Sequence, residues 1–365
     1  MNQDKPKPEN RRQIRHIAIF LIVVAVFLVY LFSIFDFDDD LSADRIFKTF
    51  YNMEEDTLDG VYLGSSAVYR YFMPTSAYEQ EGYAIMNLAT SSQPFVLNKY
   101  LIKEVLKTQP NSKVILIELR NLIKVDELLM ESDIRRVTDS MRMSENRNEA
   151  IDAALAYYKS LGIKMDYNAD HYYYPFLMYH SRWEVDMEPE NLLPYDLETE
   201  YMGFLATKRT FKVVPVDDPG TVKGEEDLSE ERMEIVRDLL EYCKGLDQTV
   251  IFVSAPCTGE KREFRQFNRL AKMIRAEGFT CWNFNSPRLR KQLGLDWSKD
   301  FYAPHHVNYY GAVKYTDLLI QKLKKKTDLP DHRGDPDYDK WQDAADRLHK
   351  KLDSLRSAAE AKGQR

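Results

Sequence analysis

A run of apolar residues without a single charge, residues 17–35, constrains this chain more than any other feature. A helix of about 20 apolar residues spans the hydrocarbon core of a bilayer. The run ends in Phe-Ser-Ile-Phe-Asp, which lacks the small residues of a signal-peptide cleavage site, the alternative interpretation. Basic residues precede the run and acidic residues follow it: Lys5, Lys7, Arg11, Arg12, Arg15, then Asp36, Asp38, Asp39 and Asp40. The positive-inside rule therefore predicts a single-pass anchor in the cell membrane, with residues 1–16 cytoplasmic and the main domain extracytoplasmic.

After the apolar run, the chain alternates between patterns typical of strands and patterns typical of helices. Short apolar runs predict strands at residues 60–63, 113–119, 249–255 and 279–284. Apolar residues at helical spacing predict helices at residues 94–108, 145–161, 230–244, 260–277 and 310–325, with Ser144 and Ser229 as N-caps. This alternation predicts an α/β fold with a mainly parallel sheet over residues 59–327.

Three segments do not follow that alternation. Residues 36–58 are acidic and aromatic, and we expect them to be a juxtamembrane spacer. Residues 162–228 are rich in Tyr, His, Pro and acidic residues, which predicts an insertion that covers or shapes the site. Residues 328–365 are expected to form a polar linker and an amphipathic helix, which either docks on its own domain or pairs with another helix; its apolar stripe is Trp341, Ala345, Leu348, Leu352 and Leu355.

Composition argues against several classes of function. A net charge of −7 disfavours a nucleic-acid partner. The three cysteines, Cys243, Cys257 and Cys281, lack metal-ligand spacing and can form at most one disulfide, so we expect buried free thiols. The histidines have no recognised ligand spacing, and no glycine-rich phosphate loop is present, so neither a metal nor a cofactor is expected.

The sequence Gly64-Ser65-Ser66 closes the first predicted strand, and ligand sites in parallel α/β sheets lie at the carboxyl ends of strands. A serine nucleophile there needs a neighbouring base. His305 and His306, directly before the last helix of the domain, are placed to supply one. The structural alternatives are that the serines only form a turn and that His306 only caps the helix.

These two stretches resemble the first and last blocks of the SGNH/GDSL hydrolases, which implies a flavodoxin-like three-layer sandwich. The resemblance makes Ser66 the nucleophile and His306 the base, and Asn308 matches an Asn that is frequent two residues after that His. The branch that the chain most resembles contains membrane-anchored cell-envelope proteins, such as those of teichoic-acid D-alanylation and alginate O-acetylation. Residues 87–110, 141–151 and 179–186 are also similar to this branch.

The chain departs from the family pattern at one catalytic position. Ala303 stands where the family has the Asp that orients the catalytic His, and Asp300 is the nearest substitute. Losing this member of a serine triad costs on the order of 10⁴ in rate. The family's Gly and Gly-x-Asn-Asp blocks are also absent in plain form. Candidate oxyanion or substrate contacts are therefore the N–H of Ser66 and the side chains of Asn87, Ser92, Gln93, Arg120 and Asn121.

Two roles are open for three residues of the insertion, His180, Arg182 and Trp183. They either pack within the insertion or line a substrate groove, where Arg182 would hold an acidic glycan or phosphate.

The resemblance implies a membrane-anchored esterase or O-acyltransferase acting on acyl esters of a cell-envelope polysaccharide or teichoic-acid-like polymer. It also implies a membrane-bound O-acyltransferase as partner. The alternatives are a catalytically degenerate protein that binds glycan and a scaffold whose helical tail recruits a complex. A carboxylate beside His306 would favour the enzyme.

Overall fold

The computed structural model describes residues 8–34, 41–123, 129–179, 199, 201–215 and 217–363. His180, Arg182 and Trp183 lie outside the described residues. The chain divides into two compact units, one of residues 1–38 and 167–196, the other of residues 39–166 and 197–365.

The strands are β1 (Gly60–Gly64), β2 (Ile85–Ala89), β3 (Val114–Glu118), β4 (Thr249–Ser254), β5 (Thr280–Asn283), β6 (Phe301–Ala303) and β7 (His306–Val307). The first helices are α1 (Pro8–Ile34), α2 (Leu41–Tyr51), α3 (Ser66–Tyr69), α4 (Pro74–Glu81), α5 (Asn98–Thr108), α6 (Glu131–Thr138) and α7 (Glu145–Ser160). They are followed by α8 (Ala169–Tyr173), α9 (Phe176–Tyr179), α10 (Glu230–Lys244), α11 (Lys261–Ala276), α12 (Pro287–Leu293), α13 (Tyr309–Lys326) and α14 (Asp339–Gly363).

The first unit contains helix α1 and the short helices α8 and α9. Within α1, the 19-residue segment Arg12–Tyr30 has a mean hydropathy of 2.2, and none of it is buried inside the protein. A helix of this length and composition is long and apolar enough to cross a bilayer.

The second unit is built on a five-stranded, all-parallel sheet in the order β2-β1-β3-β4-β5. This is one of the two common strand orders of doubly wound folds. From β1 the chain first adds a strand on one side and then continues on the other, so the switch point of the sheet lies between β1 and β3. Successive residues of β1 and β3 are fully buried on both faces of the sheet. Helices therefore flank the sheet on both sides, as expected for parallel strands. The predicted α/β fold with a parallel sheet is confirmed.

One face of the sheet packs against α13, where Tyr62 and Leu116 belong to the same buried cluster as Leu319. The hydroxyl of Tyr62 is 2.8 Å from that of Tyr315, so each buried hydroxyl has a hydrogen-bond partner. An unpaired buried hydroxyl would cost free energy, and this pair avoids the cost.

Most predicted elements form within a few residues of their expected bounds. The Ser144 hydroxyl accepts the Arg147 N–H at 3.2 Å and caps α7 as predicted, whereas Ser229 stands at the start of α10 without a side-chain capping bond.

All three cysteines are free and buried, as expected. Burial raises the thiol pKa of Cys257 to about 11, which keeps it protonated and unreactive.

The segment expected to be a juxtamembrane spacer contains helix α2, which packs against β2. Ala43, Ile46, Phe47 and Phe50 of this helix are buried. Their spacing is that of one helical face, a signal that the acidic composition of the segment obscured. This part of the expected spacer therefore belongs to the core of the second unit.

The C-terminal segment docks on its own domain. Trp341 of α14 is buried and stacks on Tyr78 of α4, with ring centroids 5.9 Å apart. His332 Nε2 lies 3.1 Å from Asp59 Oδ1, just before β1. Of the two alternatives for the amphipathic helix, the structure therefore shows packing against its own unit.

Candidate active site

The turn between β1 and α3 places Ser66 at the carboxyl end of β1, beside the point where the strand order reverses. Gly64 adopts φ +149°, and a Cβ there would lie 2.6 Å from Glu118 Cβ and 2.9 Å from Val68 Cγ2. Only glycine fits this position. The chain can therefore turn sharply, and Ser66 becomes the first residue of α3.

The structure brings the two predicted residues together: His306 Nε2 lies 2.8 Å from Ser66 Oγ. The antiparallel hairpin β6–β7 carries His306, with Ala303 directly opposite it. This hairpin was not predicted, but it is what returns the imidazole to the end of β1. A hydrogen bond between serine and imidazole is the geometry that activates a serine nucleophile.

Three side chains donate hydrogen bonds to backbone carbonyls in the turn of this hairpin. The His305 carbonyl accepts Arg120 Nη1–H at 2.6 Å and the Tyr71 hydroxyl at 3.1 Å. The Pro304 carbonyl accepts the Thr258 hydroxyl at 2.7 Å. These contacts fix the main chain next to His306. Of the three donors, the sequence singled out only Arg120, because nothing local marks Tyr71 or Thr258 as neighbours of a distant hairpin.

The His306 ring stacks on Tyr302, with centroids 5.6 Å apart and planes 17° apart. In the part of the chain that the structure describes, the other ring nitrogen, Nδ1, has no hydrogen-bond partner, and no carboxylate contacts the imidazole. Aromatic stacking and the Ser66 hydroxyl therefore orient His306, where a serine triad uses an acid.

Asp300, the expected orienting carboxylate, is directed elsewhere. Its side chain accepts the Asp296 N–H and the Lys314 ammonium, both at 2.6 Å. Asn308 caps α13: its side-chain oxygen accepts the N–H groups of Tyr310 and Gly311 at 3.0 and 3.2 Å. Both side chains therefore fold the loop and the helix start, and neither reaches His306 with a hydrogen bond.

Three of the side chains proposed for an oxyanion hole, those of Asn87, Gln93 and Asn121, are already hydrogen-bonded. Asn87 lies within β2, not after it, and its amide donates to the carbonyls of Phe72 and Gly203 at 2.9 and 3.3 Å. Gln93 bonds to Asn98 at 3.0 Å, and Asn121 donates to the carbonyls of Ser92 and Gln93. These residues tie together the loops after β2 and β3. The predicted oxyanion role is not supported for Asn87, Gln93 or Asn121.

The main chain supplies oxyanion donors more directly. The N–H groups of Ser66 and Ala67 form no backbone hydrogen bond among the described residues. The first N–H groups of a helix have no carbonyl partner within the helix. Two adjacent N–H groups beside the serine hydroxyl are therefore free to stabilise a developing oxyanion.

Burial and nearby positive charge both act on the His306 imidazole. Burial, the positive charges of Arg120 and Arg70, and His305 lower the His306 pKa to about 3. Burial and Arg120 lower the pKa of His305 to about 4. His306 is therefore neutral at physiological pH, ready to accept a proton but weakly basic.

Glu118 is a buried carboxyl group that the sequence analysis did not single out. Its oxygens accept the Arg120 N–H at 2.9 Å and the Ala255 N–H at 3.3 Å, which joins the ends of β3 and β4. Burial raises its pKa to about 7 despite the opposing effect of Arg120. The signal in the sequence is an acid at the end of the apolar run KVILIEL.

A cavity of about 200 Å³ opens beside α3. Tyr69, Tyr201, Phe204 and Leu205 line it together with Arg45, Ile46, Thr199 and Gly203. Neither Ser66 nor His306 is among the residues that line it.

Comparison with models of known protein families and with curated proteins finds no match to this chain. The assignment of a chemistry therefore rests on the site itself. A hydroxyl bonded to a neutral imidazole, next to free N–H groups, is an arrangement suited to acyl transfer.

Proposed function

We propose that this chain is a membrane-anchored serine esterase or O-acyltransferase of the SGNH/GDSL type. It would act outside the cytoplasm on acyl esters of a cell-envelope polysaccharide or a teichoic-acid-like polymer. The observation that carries the proposal is the 2.8 Å hydrogen bond between Ser66 and His306, which joins the two ends of the domain at the sheet's switch point. The apolar helix α1 supports the anchor.

In the proposed reaction, Ser66 Oγ attacks the ester carbonyl and His306 Nε2 takes the hydroxyl proton. The N–H groups of Ser66 and Ala67 stabilise the oxyanion. His306 then gives its proton to the leaving alcohol as the carbon–oxygen bond breaks. Water or a polymer hydroxyl attacks the acyl-serine, its proton passes to His306, and Ser66 is released with its proton restored. The family resemblance adds a membrane-bound O-acyltransferase as the expected source of the acyl group.

The test is turnover of 4-nitrophenyl acetate by the full-length protein in detergent. The proposal predicts that Ser66→Ala and His306→Ala each abolish turnover, while Ser65→Ala, the adjacent matched control, retains it. Equal loss in Ser65→Ala and Ser66→Ala would indicate damage to the turn and not removal of a nucleophile. Turnover that survives Ser66→Ala would refute the proposal.

A second function, binding of a glycan without turnover, is favoured by one observation. No carboxylate contacts His306 among the described residues, so the base lacks the partner that supports fast catalysis. A folded protein that turns over no ester and binds envelope polymer would support this function.

A further inference from the structure

Two arginine side chains whose charges act on His306, those of Arg70 and Arg120, form no salt bridge among the residues that the structure describes. Arg70 Nη1 donates to the Leu205 carbonyl at 3.0 Å, and its guanidinium lies 5.2 Å from the centre of the Tyr302 ring. Arg120 Nη1 donates to the His305 carbonyl. Within the described ranges, neither guanidinium forms an ion pair with Asp or Glu. Elsewhere in the described chain, arginine side chains do pair with carboxylates, as Arg136 does with Asp133.

Both guanidinium groups retain donors that a ligand can reach. A guanidinium carries five N–H donors, and each of these side chains directs a single nitrogen to a backbone carbonyl. Both residues are partly exposed, and none of their nitrogens is buried without a partner. Planar guanidinium groups with free donors recognise carboxylates and phosphates.

The two arginines act on the same imidazole. Arg70 follows α3, four residues after Ser66, and lies over Tyr302, the ring on which His306 stacks. Arg120 holds the carbonyl of the residue before His306. Their charges both lower the His306 pKa, so they oppose the imidazolium that forms when Ser66 loses its proton.

A negative charge placed against these arginines would reverse that effect. It would offset the field at His306 and make the imidazole more basic during attack. We propose, on the basis of the function proposed above, that the site takes esters carrying an anionic group, a carboxylate or a phosphate, which Arg70 and Arg120 hold close to His306. This group supplies the negative charge that an orienting Asp supplies in a serine triad.

The proposal predicts faster reaction as well as tighter binding for anionic esters. General-base catalysis improves as the basicity of the imidazole approaches the working pH range. A neutral ester would bring no negative charge to the two arginines, of which Arg120 already interacts with the buried Glu118 carboxyl group, and it would react slowly. The lack of an acid at position 303, opposite His306, would then select for anionic substrates.

The first experiment compares three acetyl esters on the full-length protein in detergent: 4-acetoxybenzoate, 4-acetoxyphenyl phosphate and the neutral methyl 4-acetoxybenzoate. Each kcat/KM is divided by the alkaline hydrolysis rate of that ester. We expect a preference of about tenfold or more for the anionic esters, the effect of a charge-assisted hydrogen bond. Comparing the two anions distinguishes a carboxylate site from a phosphate site.

Arg70→Gln and Arg120→Gln should each reduce this preference, and together they should bring it close to one. Arg142→Gln is the matched control, because Arg142 also lies over a tyrosine ring, that of Tyr51, which belongs to α2. It should leave the preference unchanged. Equal normalised rates for all three esters would overturn the inference while leaving the proposed function intact.

The second experiment does not depend on turnover. In Ser66→Ala protein with ¹⁵N-labelled histidine, NMR follows the titration of His306 with and without phenyl phosphate. The inference predicts that phenyl phosphate moves this titration to higher pH, that Arg70→Gln reduces the movement, and that Arg70→Gln combined with Arg120→Gln abolishes it. An unchanged titration at saturating phenyl phosphate would refute the inference. If no ester is turned over, the proposed function fails and this titration still decides whether the arginines form an anion site.

Discussion

Restoring the missing carboxylate gives the sharpest prediction, because Ala303 pairs directly with His306 across the β6–β7 hairpin. Side chains of directly paired residues lie on the same face, with Cβ atoms about 5 Å apart. In Ala303→Asp, the new carboxylate therefore faces the imidazole, whose Nδ1 has no partner among the described residues. The substitution replaces a partly buried methyl group at a position whose backbone does not require glycine.

The magnitude follows from Coulomb's law. A carboxylate about 4 Å from an imidazolium, at an effective dielectric constant near 20, contributes about 4 kcal/mol. This corresponds to a factor of about 10³ in proton affinity and moves the His306 pKa from about 3 toward its ordinary range. Only part of that gain appears in the rate, so we expect turnover of a neutral ester to rise by about ten- to 10³-fold.

The assay is turnover of methyl 4-acetoxybenzoate by wild type, Ala303→Asp and Ala303→Asn. The Asn variant matches the Asp variant in size without its charge, and it should gain at most a few-fold. The preference for anionic esters should also shrink in Ala303→Asp, because the protein then carries the charge that the substrate otherwise brings. Equal rates in the Asp and Asn variants, with both folded, would refute the electrostatic reasoning.

Three further predictions follow from the structure. Because the His306 pKa is about 3, the base stays neutral in acid, so turnover should remain level from pH 8 down to pH ~4.5, below the ordinary histidine pKa; a fall centred near pH ~6.5 in the pH–rate profile would contradict this. The Glu118 pKa is raised from 4.5 to about 7, so its native state holds the proton more tightly than the unfolded chain, and stability is lost as pH rises toward 7. In urea titrations, the free energy of unfolding of wild type should therefore fall by about 3 kcal/mol relative to that of Glu118→Gln between pH ~4.5 and pH ~7. A difference between the two proteins that stays constant with pH would contradict this prediction. Trp341→Ala should lower the free energy of unfolding, measured in urea, by about 3–5 kcal/mol, because it removes a buried ring that stacks on Tyr78. A loss below ~0.5 kcal/mol, the value typical of an exposed residue, would mean that α14 does not contribute to the stability of the domain.

Local patterns in the sequence predicted much of this fold. The strands β3, β4 and β5 are short apolar runs, and the helices α7, α10 and α11 show helical spacing with recognisable ends. Helix α2 escaped prediction because its apolar face is embedded among acidic residues. The β6–β7 hairpin escaped because it is only a few residues long and is held by Arg120, Tyr71 and Thr258, which are distant in sequence.

The candidate site was predictable where chemistry depends on residue type and order, as for Ser66 and His306. It was not predictable where a role depends on which partner a side chain finds. Asp300 was near enough in sequence to orient His306, but Lys314 and the Asp296 N–H take its carboxylate. Gln93 and Asn121 bond within their loops for the same reason.

The most direct test of the account is the reactivity of Ser66 toward a fluorophosphonate, with the adduct located by mass spectrometry in the full-length protein. Circular dichroism of each variant controls for folding. We expect an adduct on Ser66 and not on Ser65, which is lost in His306→Ala and forms faster in Ala303→Asp. A folded wild-type protein that forms no adduct, or one that labels equally in His306→Ala, would contradict the claim that the 2.8 Å Ser66–His306 contact activates the serine.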